Sequence, residues 1–138
     1  MNENPTIDRE KLNAIRVELG THFSRILSYF AEDGVKSVDA IEDAVRNRDT
    51  VALVRPAHTL KGESLQFGAE ALGLAAERVE KAARDGVESH AFPTDIIEFS
   101  TCLRPLFEEA LAALQREAAP MITPGPLRRA GGFGRKVG

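Results

Sequence analysis

An apolar period of three to four residues runs through almost all of residues 8–116, and a chain patterned this way closes a core with helices. Leu12, Ile15, Leu19, Phe23, Ile26, Leu27 and Phe30 set the period in a first segment, about residues 8–33. Gly20 followed by Thr21 offers a break and a fresh N-cap there, so the segment holds one or two helices. Gly34 is expected to end it. A second helix, about 37–48, carries Val38, Ile41, Ala44 and Val45 on one stripe, with Ser37 as N-cap and Asp39 and Glu42 in the first turn. Asp49 caps a third, about 50–67, which Gly68 closes in the left-handed conformation; Pro56 should bend it or loosen its first turns. A fourth, about 69–84, is expected to stop at Asp85-Gly86. A fifth, about 94–116, has Pro105 in its middle and should kink or divide. Strand signals are missing, since tyrosine occurs once, tryptophan not at all, and β-branched residues do not alternate with polar ones. The short connections favour antiparallel neighbours. The expected fold is therefore all-α: an up-and-down four-helix bundle, about 37–116, with an N-terminal helix, about 8–33, packed across one end.

Charge divides the chain more sharply than its total suggests. The net charge is −3, but Arg128, Arg129, Arg135 and Lys136 stand without an acid in residues 118–138, so residues 1–117 carry 14 basic against 21 acidic side chains, or −7. The same last stretch holds five of the 11 glycines and three of the seven prolines and shows no apolar period, the composition of a disordered basic tail. No apolar run reaches the 18 or so residues of a membrane span. Residues 1–11 have neither the basic start nor the apolar run of a signal peptide. Cys102 is the single cysteine, which rules out an internal disulfide and a multi-cysteine metal site. The expected location is the cytoplasm.

His58 stands on the wrong face of the third helix for a core residue. At about 100° per residue, Leu53, Leu60 and Phe67 define the buried stripe and lie roughly 140–200° round the axis from it. Its own face carries Val54, Arg55, Lys61, Gly62 and Leu65, with Val51 a turn further back. Glycine inside a helix costs about 1 kcal/mol relative to alanine, so Gly62 needs a compensating use. One turn from His58, it would let another macromolecule approach the imidazole. Lys61 supplies a mobile cation beside the same ring. A neutral imidazole, with a reference pKa near 6.5, is a nucleophile, and a nearby cation offsets the charge of a phosphoryl group placed on it. An ordinary solvated histidine beside a Lys-Gly pair is compatible with the same residues. His22, in the N-terminal helical region, and His90, in a linker, have no comparable surroundings.

The run His58-Thr59-Leu60-Lys61-Gly62-Glu63-Ser64-Leu65-Gln66-Phe67-Gly68-Ala69, followed by Leu72 and Glu77-Arg78-Val79-Glu80-Lys81-Ala82-Ala83-Arg84, resembles the signature of histidine-containing phosphotransfer (HPt) domains. That signature is His-x-(Leu/Ile)-Lys-Gly, five variable residues and Gly, with an acidic or amide side chain on the next helix. The resemblance covers about residues 37–116. It implies that His58 accepts and donates the phosphoryl group through Nε2, that Lys61 neutralises the phosphoryl oxygens, that Gly62 clears space for the partner, and that Gly68 ends the helix. It also implies that Glu80 holds the other ring nitrogen, a place for which Glu77, one turn away, competes. Glu63 and Pro56 depart from the small residues common at their positions.

The same resemblance implies a phosphorelay intermediate rather than an enzyme. An aspartyl-phosphate receiver domain, of a response regulator or a hybrid histidine kinase, would dock on an apolar patch of Val54, Leu65 and Val51 flanked by Arg55 and Gly62, and a second receiver would take the group. No cofactor is implied, because the receiver brings the Mg²⁺, and no nucleic acid or membrane partner; the protein would act as a monomer. The sequence has no Gly-rich phosphate loop or nucleotide box. A helical adaptor that binds through the His58 face without chemistry is the alternative. The dimerising histidine domain of a sensor kinase fits less well, since Thr59 stands where an acidic residue normally follows the histidine. A metal site lacks a second ligand on the His58 face.

Overall fold

The computed structural model describes residues 7–122, with side chains through residue 118. Six α-helices run α1 (Arg9–Leu19), α2 (Phe23–Arg46), α3 (Thr50–Gln66), α4 (Glu70–Ser89), α5 (Asp95–Thr101) and α6 (Leu103–Ile122), with a 3₁₀ turn at Gly20–His22. No strand occurs among the described residues. Helices α2, α3, α4 and the α5–α6 pair form the bundle, with α3 between α2 and α4, and α6 packed on both α2 and α4. At the centre, Phe30 bridges Phe67 and Phe107 at ring-centroid distances of 5.2 and 5.6 Å, and Phe23 meets Phe67 edge-on at 5.9 Å.

The N-terminal helix outside the bundle is shorter than its sequence pattern suggests. Asp8 caps α1, its side chain accepting from the backbone N–H groups of Glu10 and Lys11, and Gly20 ends it at φ 57°. The 3₁₀ turn then feeds directly into α2, and Thr21 caps nothing: the residue before α2 is His22, whose side chain makes no cap bond. Gly34 does not end a helix. It lies mid-way along 24 continuous helical residues, where the ring of Phe107 from α6 occupies the space its Cβ would need. Its use is close approach between helices, not termination. Ser37 is likewise buried inside α2 rather than capping a new helix. Asp39 and Glu42 serve Arg104 of α6 instead: Nη2 reaches Asp39 Oδ1 at 2.6 Å and Glu42 Oε1 at 2.9 Å, and Nε reaches Glu42 Oε2 at 2.9 Å.

Helix α3 begins where Asp49 Oδ1 accepts from the Ala52 N–H at 3.1 Å and continues as one helix past Pro56. It closes at Phe67, and Gly68 follows at φ 79°. The Gly68 carbonyl accepts from the Asp8 N–H at 2.6 Å, and a Cβ on Gly68 would lie 2.9 Å from the Asp8 oxygen. That contact seats α1 against this end of the bundle. Helix α4 runs past Asp85-Gly86 to Ser89, beyond its expected stop, and the chain turns at His90 with φ 58°. Gly86 is a packing position: its Cβ would come within 2.8 Å of Thr50 Cγ2 and 2.6 Å of Pro93 Cδ. The last segment divides at Cys102 into α5 and α6, which leaves Pro105 in the first turn of α6, where a missing N–H breaks no helical bond. Helix α6 also outruns its expected end at 116. Ala118 is buried and the helix reaches Ile122, so residues 118–122 of the expected tail are helical; residues 123–138, with the four cations, lie outside the described residues.

Candidate functional site

Leu53, Ala57, Leu60 and Ser64 turn one side of α3 into the core. His58 is thereby carried to the opposite side, with 60% of its side chain exposed. The neighbouring helix α4 turns Ala76, Val79 and Ala83 inward and brings Glu80 under the imidazole. Glu80 is the one buried charged residue among the described ones, its side chain only 7% exposed. Its Oε2 lies 2.9 Å from His58 Nδ1 and also accepts from Arg84 Nε at 2.9 Å and Arg84 Nη2 at 2.7 Å. Its Oε1 lies 3.0 Å from Lys61 Nζ. Glu77, exposed one turn earlier, is not part of this cluster. Burial alone would push the Glu80 carboxyl up, but hydrogen bonds from Lys61, Arg84 and His58 outweigh it and hold the group at about 2.

That ionisation decides the imidazole tautomer. A carboxylate has only acceptors, so the short contact places a proton on Nδ1, and in the neutral ring the lone pair is then on Nε2. The arrangement presents an exposed nitrogen nucleophile whose far side is held by a buried anion. Lys61 is not free beside the ring: its ammonium is bound to Glu80, with 24% of the side chain exposed.

Gly62 is exposed, and a Cβ built there would have no atom within 4 Å. No internal contact requires a glycine at this point of the helix. The aliphatic surroundings differ in part from expectation. Val51 is 69% exposed and Arg55 is exposed, whereas Val54 is half-buried against the core. Leu65 is half-buried. Its side chain lies across Gly73 of α4, where a Cβ would fall 2.5 Å from Leu65 Cδ2, so it joins the two helices. The apolar groove beside His58 is lined instead by Val51 and Val54 of α3 with Arg84, Val87 and Glu88 of α4. Sequence reasoning missed Arg84 and Val87. Their signal was available as the i+4 and i+7 positions from Glu80, the face of α4 that Glu80 shares.

A second carboxyl has an unusual setting. Glu63 has a buried Oε1 without a hydrogen-bond partner, and burial together with the adjacent Asp33 carboxyl of α2 raises it to about 7. The departure from a small residue thus places an acid between α2 and α3, while α3 remains regular around it.

Compared with known proteins, residues 25–117 match the family profile described as Hpt domain. A search of curated protein sequences found no match. Among solved structures, the chain is similar to histidine-containing phosphotransfer protein B (HptB) from Pseudomonas aeruginosa PAO1, with a TM-score of 0.73 over 83% of this chain and 96% of that one. Sequence identity is 21%, so this likeness speaks for the helical fold.

Proposed function

The chain belongs to the Hpt domain family, and from that premise we propose that it carries a phosphoryl group on His58 Nε2 between receiver domains of a two-component phosphorelay. The observation that carries the assignment is the 2.9 Å contact from Nδ1 of an exposed imidazole to the buried Glu80 carboxylate. The Nε2 lone pair attacks the phosphorus of a receiver's aspartyl phosphate, the bond from phosphorus to the aspartate oxygen breaks, and the aspartate leaves as carboxylate. Nδ1 keeps its proton throughout. The ring becomes a phosphoimidazolium whose positive charge faces Glu80. Transfer to a second receiver reverses these events, with the imidazole as leaving group.

Phosphoryl transfer of this kind is positioning and charge stabilisation, so an exposed histidine on a rigid helix can take part without a cleft. In this reading Lys61 serves the phosphoryl oxygens, Gly62 admits the receiver's backbone, and the Val51, Val54 and Val87 groove with Arg55 takes an apolar receiver surface. The receiver brings the divalent cation, and the carrier works as a monomer alongside its receivers in the cytoplasm. No described helix is long and apolar enough to cross a membrane.

Incubation with phosphorylated receivers tests the assignment. Acid-labile label should appear on the chain and map to His58, and His58→Gln should abolish it. Label retained in that variant, at His22 or His90, sinks the assignment; complete failure of every receiver to label the wild type favours the adaptor reading.

A further inference from the structure

Lys61 has two demands on its single ammonium. In the structure it is the ion-pair partner of Glu80 Oε1, a buried oxygen that has no hydrogen-bond partner. As the cation three residues from His58 on the same helix, it is also the group within reach of a phosphoryl group on Nε2. A buried carboxylate that loses a cation without replacement is strongly destabilised, so release of Lys61 needs a substitute. Arg84 is that substitute by position. It sits one turn beyond Glu80 on α4, holds Oε2 through both Nε and Nη2, and keeps 57% of its side chain exposed, with room to rotate. A guanidinium can spread its two donors over both oxygens of one carboxylate, which an ammonium cannot do.

We infer that Arg84 is a positioning residue that takes over Glu80 when Lys61 leaves it for the phosphoryl group. This rests on the reading of His58 as the phosphoryl carrier. In the resting protein, Lys61 holds Oε1 while Arg84 and the ring share Oε2. On phosphorylation, Lys61 swings to the phosphoryl oxygens and the Arg84 fork spans Oε1 and Oε2. Glu80 stays ionised and keeps its bond to the Nδ1 proton. Arg84 touches neither phosphorus nor the receiver's aspartate in this scheme; it acts through Glu80 and Lys61.

Phosphoramidate, a small donor that needs no docking surface, isolates the exchange: Nε2 bonds to phosphorus as the P–N bond breaks and ammonia departs. The full chain is compared as wild type, Arg84→Gln, Arg84→Lys, Lys61→Ala and the Arg84→Gln/Lys61→Ala double variant, by phosphohistidine yield and half-life. Arg84→Gln should lower the yield about tenfold, the size expected for losing a hydrogen bond to a charged group. Arg84→Lys should recover part of it. Because Arg84 alone is left to hold Glu80 in Lys61→Ala, the double variant, which has neither cation, should be worse than Lys61→Ala. The Glu80 carboxyl, followed by ¹³C NMR, should titrate at higher pH in Arg84→Gln, and thermal melting identifies any variant that fails to fold. A double variant no worse than Lys61→Ala would overturn the inference, as would an Arg84→Gln yield equal to wild type. Wild type that takes no label on His58 removes the carrier reading, and the exchange falls with it.

Discussion

Glu80 is a buried carboxylate surrounded by the nitrogen donors of three residues, and its protonation sets the acid limit of the site. Its folded value of about 2 lies below the unfolded value of 4.5, so the stability it contributes is present above pH 4.5 and is lost as pH falls towards 2. Gly62 allows a cleaner separation of stability from function. Its missing side chain touches nothing inside the protein, so Gly62→Ala should gain up to about 1 kcal/mol and raise the melting temperature. Gly62→Gln should fold as well as wild type and accept phosphate from phosphoramidate, yet lose transfer from a receiver by tenfold or more on stopped-flow assay. Equal receiver rates in the two proteins would leave the glycine without a partner-facing role.

Two helix pairs hold the site in place, and each has a glycine where a side chain of the opposite helix lies. Phe107 of α6 lies on Gly34 of α2, and Leu65 of α3 lies on Gly73 of α4. A methyl group at position 34 would collide with a ring fixed among Phe30 and its neighbours, so Gly34→Ala should cost about 1–3 kcal/mol in chemical denaturation. The α3–α4 pair carries the functional geometry, since His58 and Lys61 come from one helix and Glu80 and Arg84 from the other. Leu65→Asp should therefore lower the melting temperature as well as transfer. Val51→Asp should weaken receiver binding several-fold with an unchanged melt, because Val51 stands in water. A Leu65→Asp melt matching wild type would mean that the contact with Gly73 contributes nothing to the pair.

Taken whole, the bundle holds two carboxyls that titrate in opposite senses. Glu63, raised to about 7 by burial and by Asp33, contributes stability that is complete below its unfolded value of 4.5 and is lost as pH rises through 7. Glu80 contributes stability that is lost as pH falls below 4.5. These two groups together place the stability maximum near pH 4.5–5, with a decline on each side. Melting curves across pH 3–8 should show it, and Glu63→Gln should flatten the limb between pH 5 and 8 while leaving the acid limb in place. A limb unchanged by that substitution would separate the decline from Glu63.

The helical class, the bundle and the exposure of His58 were legible in the sequence because each depends on local spacing. A 3.6-residue period turns Leu53, Leu60 and Phe67 one way and His58 the other, whatever surrounds the helix. Asp49 and Gly68 were legible for the same reason, since a cap bond and a left-handed closure are made within a few residues. Gly34 and Gly86 read as boundaries because glycine favours helix ends, but Phe107, Thr50 and Pro93 approach them from elsewhere in the chain and make their positions packing contacts. Leu65 shared the face of His58 in projection and still proved to be a contact with α4. The choice of Glu80 over Glu77 and the sharing of Glu80 among His58, Lys61 and Arg84 belong to this second kind. Sequence determined which residues each helix offers on each face; only tertiary structure decided which offered groups meet, because that depends on how two helices lie side by side, and neither helix encodes it alone.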